Sequence, residues 1–110
     1  MYTGEDGRSH FEDIDIELKD HGDIGRLSDP IKTTGIIFRE TGEDYDYNWH
    51  NAPQRQFVIM FGKVEIEVGD GTKRRFGPGD ILLAEDIEGQ GHISRAVNNQ
   101  PRKSVFVTLD

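Results

Sequence analysis

The chain has 110 residues, a formal net charge of −8 and no cysteine. That length suits one domain with a modest core, and the lack of cysteine excludes disulfides, thiolate chemistry and Cys-ligated metals. The acidic balance argues against nucleic acid and anionic membrane as partners: phosphates call for a concentrated basic surface, and Lys73-Arg74-Arg75 is the sole tight basic cluster.

Residues 1–9 are polar and contain Gly4 and Gly7, so they are expected to fray. No basic and apolar leader follows Met1, and no apolar run approaches the ~20 residues that span a bilayer. The expected location is the cytoplasm. From Phe11 to Leu18, Ile14, Ile16 and Leu18 alternate with acids, which predicts a half-buried strand. With few neighbours in sequence, this strand is expected to pair across a dimer interface. Lys19 to Pro30 is rich in Gly and Asp and reads as a loop. Ile31 to Glu40 leans towards β-structure, and Thr41 to Asp46 towards a turn.

Tyr47 to Pro53 holds the only Trp and one His. Phe57 to Phe61 is a continuous apolar run, short enough for a buried strand. After Gly62, Val64, Ile66 and Val68 alternate with Lys63, Glu65 and Glu67. Asp70-Gly71 is a hairpin turn signal leading into Lys73 to Phe76. Phe76-Gly77-Pro78-Gly79-Asp80 makes the next turn and Ile81 to Ala84 the next strand. Glu85 to Gly91 is a loop, its acids read as solvated charges. His92 to Val97 and Ser104 to Leu109 are two further strands around Asn98-Asn99-Gln100-Pro101, with Val105, Val107 and Leu109 expected inside. About eight short strands, with no helical periodicity, predict a sandwich or barrel.

From Trp49 to Arg95 the sequence resembles a small cupin. That family's first motif carries two histidines one residue apart, a glutamate and a closing glycine; its second carries a glycine turn, a strand and a third histidine. Gly62 matches the closing glycine, His50 the second histidine and Asn48 the position of the first. Arg55 falls at the glutamate position, or Gln56 if the hairpin is one residue shorter. The turn from Phe76 to Asp80, the strand Ile81 to Ala84, and His92 match the second motif. A group of uncharacterised bacterial cupins shares Trp49-His50-Asn51-Ala52-Pro53 and the Phe76 to Asp80 turn. The resemblance implies an all-β fold, a cupin-type jelly-roll barrel over residues 1–110, and a homodimer.

In cupins the matching positions typically hold one divalent metal, such as iron, manganese, nickel or zinc. Here the resemblance implies His50 and His92 as ligands, with Gln56 and Asn48 as weaker amide donors and Glu85 or Asp86 as a carboxylate that could fold back to them. Two readings follow. One is a pocket that binds a small molecule through His50, Trp49, Arg55 and His92, with or without the metal. The other is a metal-dependent dioxygenase or isomerase. An inward Arg55 would repel a metal and attract an anion, whereas an inward Gln56 would leave Arg55 in solvent. His10 and His21 read as surface histidines. Ser94 and Ala96 share a strand face with His92 and leave room for a ligand if that face is the inner one; if Ile93 and Val97 face the core instead, His92 points outwards.

Overall fold

The computed structural model describes residues 1–110 throughout. Four two-residue strands come first: β1 (Tyr2–Thr3), β2 (Ser9–His10), β3 (Lys19–Asp20) and β4 (Arg26–Leu27). Eight longer ones follow: β5 (Gly35–Thr41), β6 (Asp46–His50), β7 (Gln56–Met60), β8 (Val64–Glu67), β9 (Lys73–Phe76), β10 (Ile81–Ala84), β11 (His92–Ala96) and β12 (Arg102–Thr108). They form two four-stranded sheets, ordered β10-β7-β12-β5 and β6-β11-β8-β9, with antiparallel pairing throughout. Successive strands mostly change sheet, which makes an all-β jelly-roll barrel: the turn spacing predicts a sandwich or barrel, and the resemblance to cupins implies the jelly roll.

Local chemistry explains the connections. In the β8–β9 hairpin the Asp70 carboxylate accepts from the Thr72 N–H at 2.8 Å, and Gly71 takes a φ of +88° that a side chain would resist. In the β9–β10 turn the Asp80 carboxylate accepts from the Gly77 N–H at 2.8 Å; the Gly79 N–H donates to the Met60 carbonyl and the Met60 N–H to the Asp80 carbonyl, which docks the turn on β7.

Alternation then builds the core. Val58 and Met60 of β7 and Leu82 and Ala84 of β10 meet Val64 and Ile66 of β8, all of them buried. On β12, however, the inward positions are Arg102, Ser104, Phe106 and Thr108, while Val105 and Val107 lie outside and half-buried. The expectation that these valines enter the core is corrected here. One-residue alternation leaves the face undecided when both faces carry apolar side chains. The same holds for Phe57 to Phe61: Phe57 and Ile59 face outwards, and Phe61 is 60% exposed.

The outer face of this sheet therefore carries a continuous apolar patch. Cross-strand pairing aligns Val105 with Phe38 and Ile59, Val107 with Ile36 and Phe57, and Ile81 and Leu83 with Ile59 and Phe57. The ion pairs Arg55–Glu85 and Lys103–Glu40 stand at its two ends.

Two expectations near the N-terminus change. Residues 1–9 do not fray: β1 and β2 form a hairpin, Met1 is buried, and the Met1 carbonyl accepts from the Glu85 N–H at 2.8 Å. Residues 11–18 form no strand, and Ile14, Ile16 and Leu18 are each more than two-fifths exposed. Alternation supplies an apolar face, but a strand also needs a partner edge, and none within the chain reaches this segment. In the loop from Lys19 to Pro30, β3 and β4 form a minimal hairpin around a 3₁₀ turn at Gly22–Ile24.

Candidate functional site

A cavity of about 270 Å³ lies between the two sheets. His92 and Ser94 of β11, His50 of β6 and Gln56 of β7 supply polar groups to its wall. The two histidines meet because β11 pairs with β6 in the register His92↔His50, and directly opposed residues share a face. Their ring centroids are 4.3 Å apart, with the planes inclined at 58°.

Both imidazoles are held from behind. The His92 Nδ1–H donates to Asp86 Oδ2 at 2.5 Å, and the Ser9 hydroxyl donates to the same oxygen at 2.7 Å. Asp86 is wholly buried, and its other oxygen has no partner. The His50 Nδ1–H donates to the Asn48 carbonyl at 2.6 Å, and the ring stacks on Tyr47 at 3.7 Å with planes 7° apart. Each Nε2 is left without a protein partner. Burial keeps His50 below the usual imidazole range; the neighbouring His92 adds to this, while the Asn48 carbonyl opposes it.

Glycine lets the Glu85 to Gly91 loop close on this site. Gly91 has a φ of +76°, and a side chain there would fall on the His50 carbonyl. Gln90 N–H and Thr3 Oγ1–H tie the loop to the N-terminal hairpin. This hairpin also delivers Ser9 to Asp86.

The opposite wall carries two arginines. Arg102, at the start of β12, is 5% exposed. Its Nη1 reaches only the Met60 sulfur, at 3.8 Å, and its Nη2 has no partner. Arg39 of β5 lies half-buried and donates from Nε to Ser104 Oγ at 2.9 Å, with its guanidinium 4.5 Å from the Phe106 ring centre. Neither forms an ion pair, whereas Arg55, Arg74, Arg75 and Arg95 all do. Burial, with Arg39 alongside, brings Arg102 down to about 10.

The residues singled out from sequence divide accordingly. His50, His92 and Gln56 line the cavity; Asn48, Trp49 and Arg55 do not. A β-bulge is the reason for Asn48: the register between β6 and β11 shifts so that Ser94 faces Tyr47. Tyr47 thereby takes the wall position that regular alternation would give to Asn48. Trp49 is 38% exposed. Arg55 faces outwards to Glu85 Oε2 at 2.8 Å. His10 is partly exposed and bonds to Asp6, and His21 is exposed. Asp86, read from sequence as a solvated loop charge, is the buried support of His92. Arg39, Arg102, Tyr47 and Ser9 carried no local signal; only the β5–β12 register and the strand parity identify the arginines.

The cavity-facing donors for a metal are two imidazoles and the Gln56 amide. No three His, Asp or Glu side chains come together as a metal-holding set. A carboxylate behind a histidine is a usual outer partner in metal sites, but here the same cavity holds two unpaired guanidiniums. These residues do not fit a resident divalent metal.

Solved structures with similar folds support the architecture. One is a Cupin 2 conserved barrel domain protein from Salinispora arenicola, 16% identical, with a TM-score of 0.55 over 76% of this chain and 71% of that one. This chain has the cupin fold. Protein NMB1881 from Neisseria meningitidis is also similar, 18% identical with a TM-score of 0.53, covering 73% of this chain and 79% of that one. The sequence matches no family model, and no curated protein matches it. On this cupin barrel the metal motif keeps only two of its imidazoles in place. No helix is long and apolar enough to cross a membrane.

Proposed function

We propose that this cupin barrel is a small-molecule binding module whose site is the cavity around His50 and His92. The observation that carries the reading is the pair of imidazoles, each fixed through Nδ1 and each with Nε2 free, on the wall of a cavity large enough for a small organic ligand. Fixed rings recognise a ligand at little ordering cost. The metal-dependent dioxygenase or isomerase reading receives no comparable support from the donor set.

A fragment screen followed by imidazole and amide NMR tests the reading. Binders should shift His50, His92 and Gln56 together, and His92→Ala should abolish the response. Binders that scatter over the surface and leave these signals unmoved would overturn it.

The outer face of the β10-β7-β12-β5 sheet supports a homodimer. Its centre is apolar and its two ends carry ion pairs, which is the anatomy of an interface core and rim. The absence of charge at the centre suits a second copy of the same face, as a two-fold axis would place it.

A further inference from the structure

We propose that the cavity binds an organic carboxylate, its carboxyl group held by the guanidiniums of Arg102 and Arg39. This rests on the cavity being a ligand site and names the ligand's chemical class. A buried guanidinium without a carboxylate is costly to the fold, and this chain has 21 acidic residues from which a partner might have come. None is placed there. Arg102 is 5% exposed and keeps one Nη without any partner.

Arg39 lies across the strand pair, held through Nε by Ser104 on β12. Its terminal nitrogens meet no carboxylate, their polar neighbour being the Tyr45 side chain, and Arg102 contributes a second cation to the same wall. The Tyr45 ring neighbours both, 5.3 Å from the Arg102 guanidinium carbon and 5.9 Å from that of Arg39. The planar fork of a guanidinium matches the two oxygens of a carboxylate. Around it, Val58, Met60 and Phe106 form an apolar wall for the remainder of the ligand, and His50 and His92 line the same cavity.

Calorimetry and NMR on the whole protein test this with acetate and benzoate, their neutral counterparts acetamide and benzamide, and inorganic phosphate. Both carboxylates should bind and move the Nε–H signals of Arg39 and Arg102, and the amides should bind at least about ten-fold more weakly. Arg102→Met and Arg39→Met should each weaken benzoate binding by about ten-fold or more. Circular dichroism checks their fold; if Arg102→Met does not fold, the half-buried Arg39→Met decides.

Equal binding of benzoate and benzamide at His50 and His92 would overturn the carboxylate assignment and leave the ligand site standing. Tighter binding of phosphate than of either carboxylate at the two arginines would overturn it in favour of a phosphate ligand. If no probe moved any cavity signal, both the assignment and the site would fall.

Discussion

Replacing Asp86 with alanine should be among the most damaging changes in the chain. Asp86 accepts two hydrogen bonds at Oδ2, from His92 Nδ1 at 2.5 Å and Ser9 Oγ at 2.7 Å, with no exposure to water. The substitution leaves two buried donors without an acceptor, each costing about 1–3 kcal/mol. The unpartnered Oδ1 already burdens the native state, so the lower half of their sum applies, about 3 kcal/mol. Against a total stability of roughly 5–15 kcal/mol that is a large fraction. For a chain of this size it lowers Tm on the order of 15 °C.

Urea unfolding of the wild type, Asp86→Ala, Ser9→Ala and the double variant measures it. The cycle should give a Ser9–Asp86 coupling above about 1 kcal/mol. A loss for Asp86→Ala of less than about 0.5 kcal/mol, as for an exposed loop carboxylate, would refute the buried arrangement.

Gly91→Ala should cost about 2 kcal/mol or more, since positive φ is strained for alanine and its Cβ would strike the His50 carbonyl; thermal unfolding, with NMR shifts at His50, checks this. Burial lowers the His50 pKa, so the unfolded chain binds more protons than the folded one; His50 supports the fold fully above about pH 6.5, and this is lost as pH falls from there towards its folded pKa. An imidazole NMR titration should give a midpoint below 6.5 for His50, and His50→Gln should flatten the stability–pH profile in that window. Arg55→Ala removes an exposed ion pair and should change stability by less than about 1 kcal/mol, with calorimetric benzoate affinity unchanged. Phe38→Lys places a charge on the outer sheet face at a side chain 82% exposed; sedimentation should show a dimer for the wild type and a monomer for the variant.

Much of the barrel was legible in the sequence because its signals are local. Asp70-Gly71 and the turn from Phe76 to Asp80 fix hairpin geometry within a few residues, and Val64, Ile66 and Val68 declare their face by alternation. Phe11 to Leu18 gave an equally clear alternation without becoming a strand, because pairing depends on a distant edge. The site was legible in part. His50, His92 and Gln56 sit at positions that motif spacing reaches. Arg39 and Arg102 are 63 positions apart in sequence and become neighbours only through β5–β12 pairing. Asp86 resembles any other acid in a polar loop until the N-terminal hairpin covers it.

The bulge in β6 gives this barrel an economical route to different chemistry. One extra residue between Tyr47 and His50 decides whether the wall beside His50 is an aromatic ring or the side chain at position 48. Regular pairing through this point, with Ser94 opposite Asn48 instead of Tyr47, would turn Asn48 inwards and Tyr47 outwards without altering the strand order. Asparagine to histidine at that position would then restore a pair of imidazoles one residue apart. The distance between a ligand-binding barrel and a metal-ligating half-site is thus one register step and one substitution, and the strand order survives both.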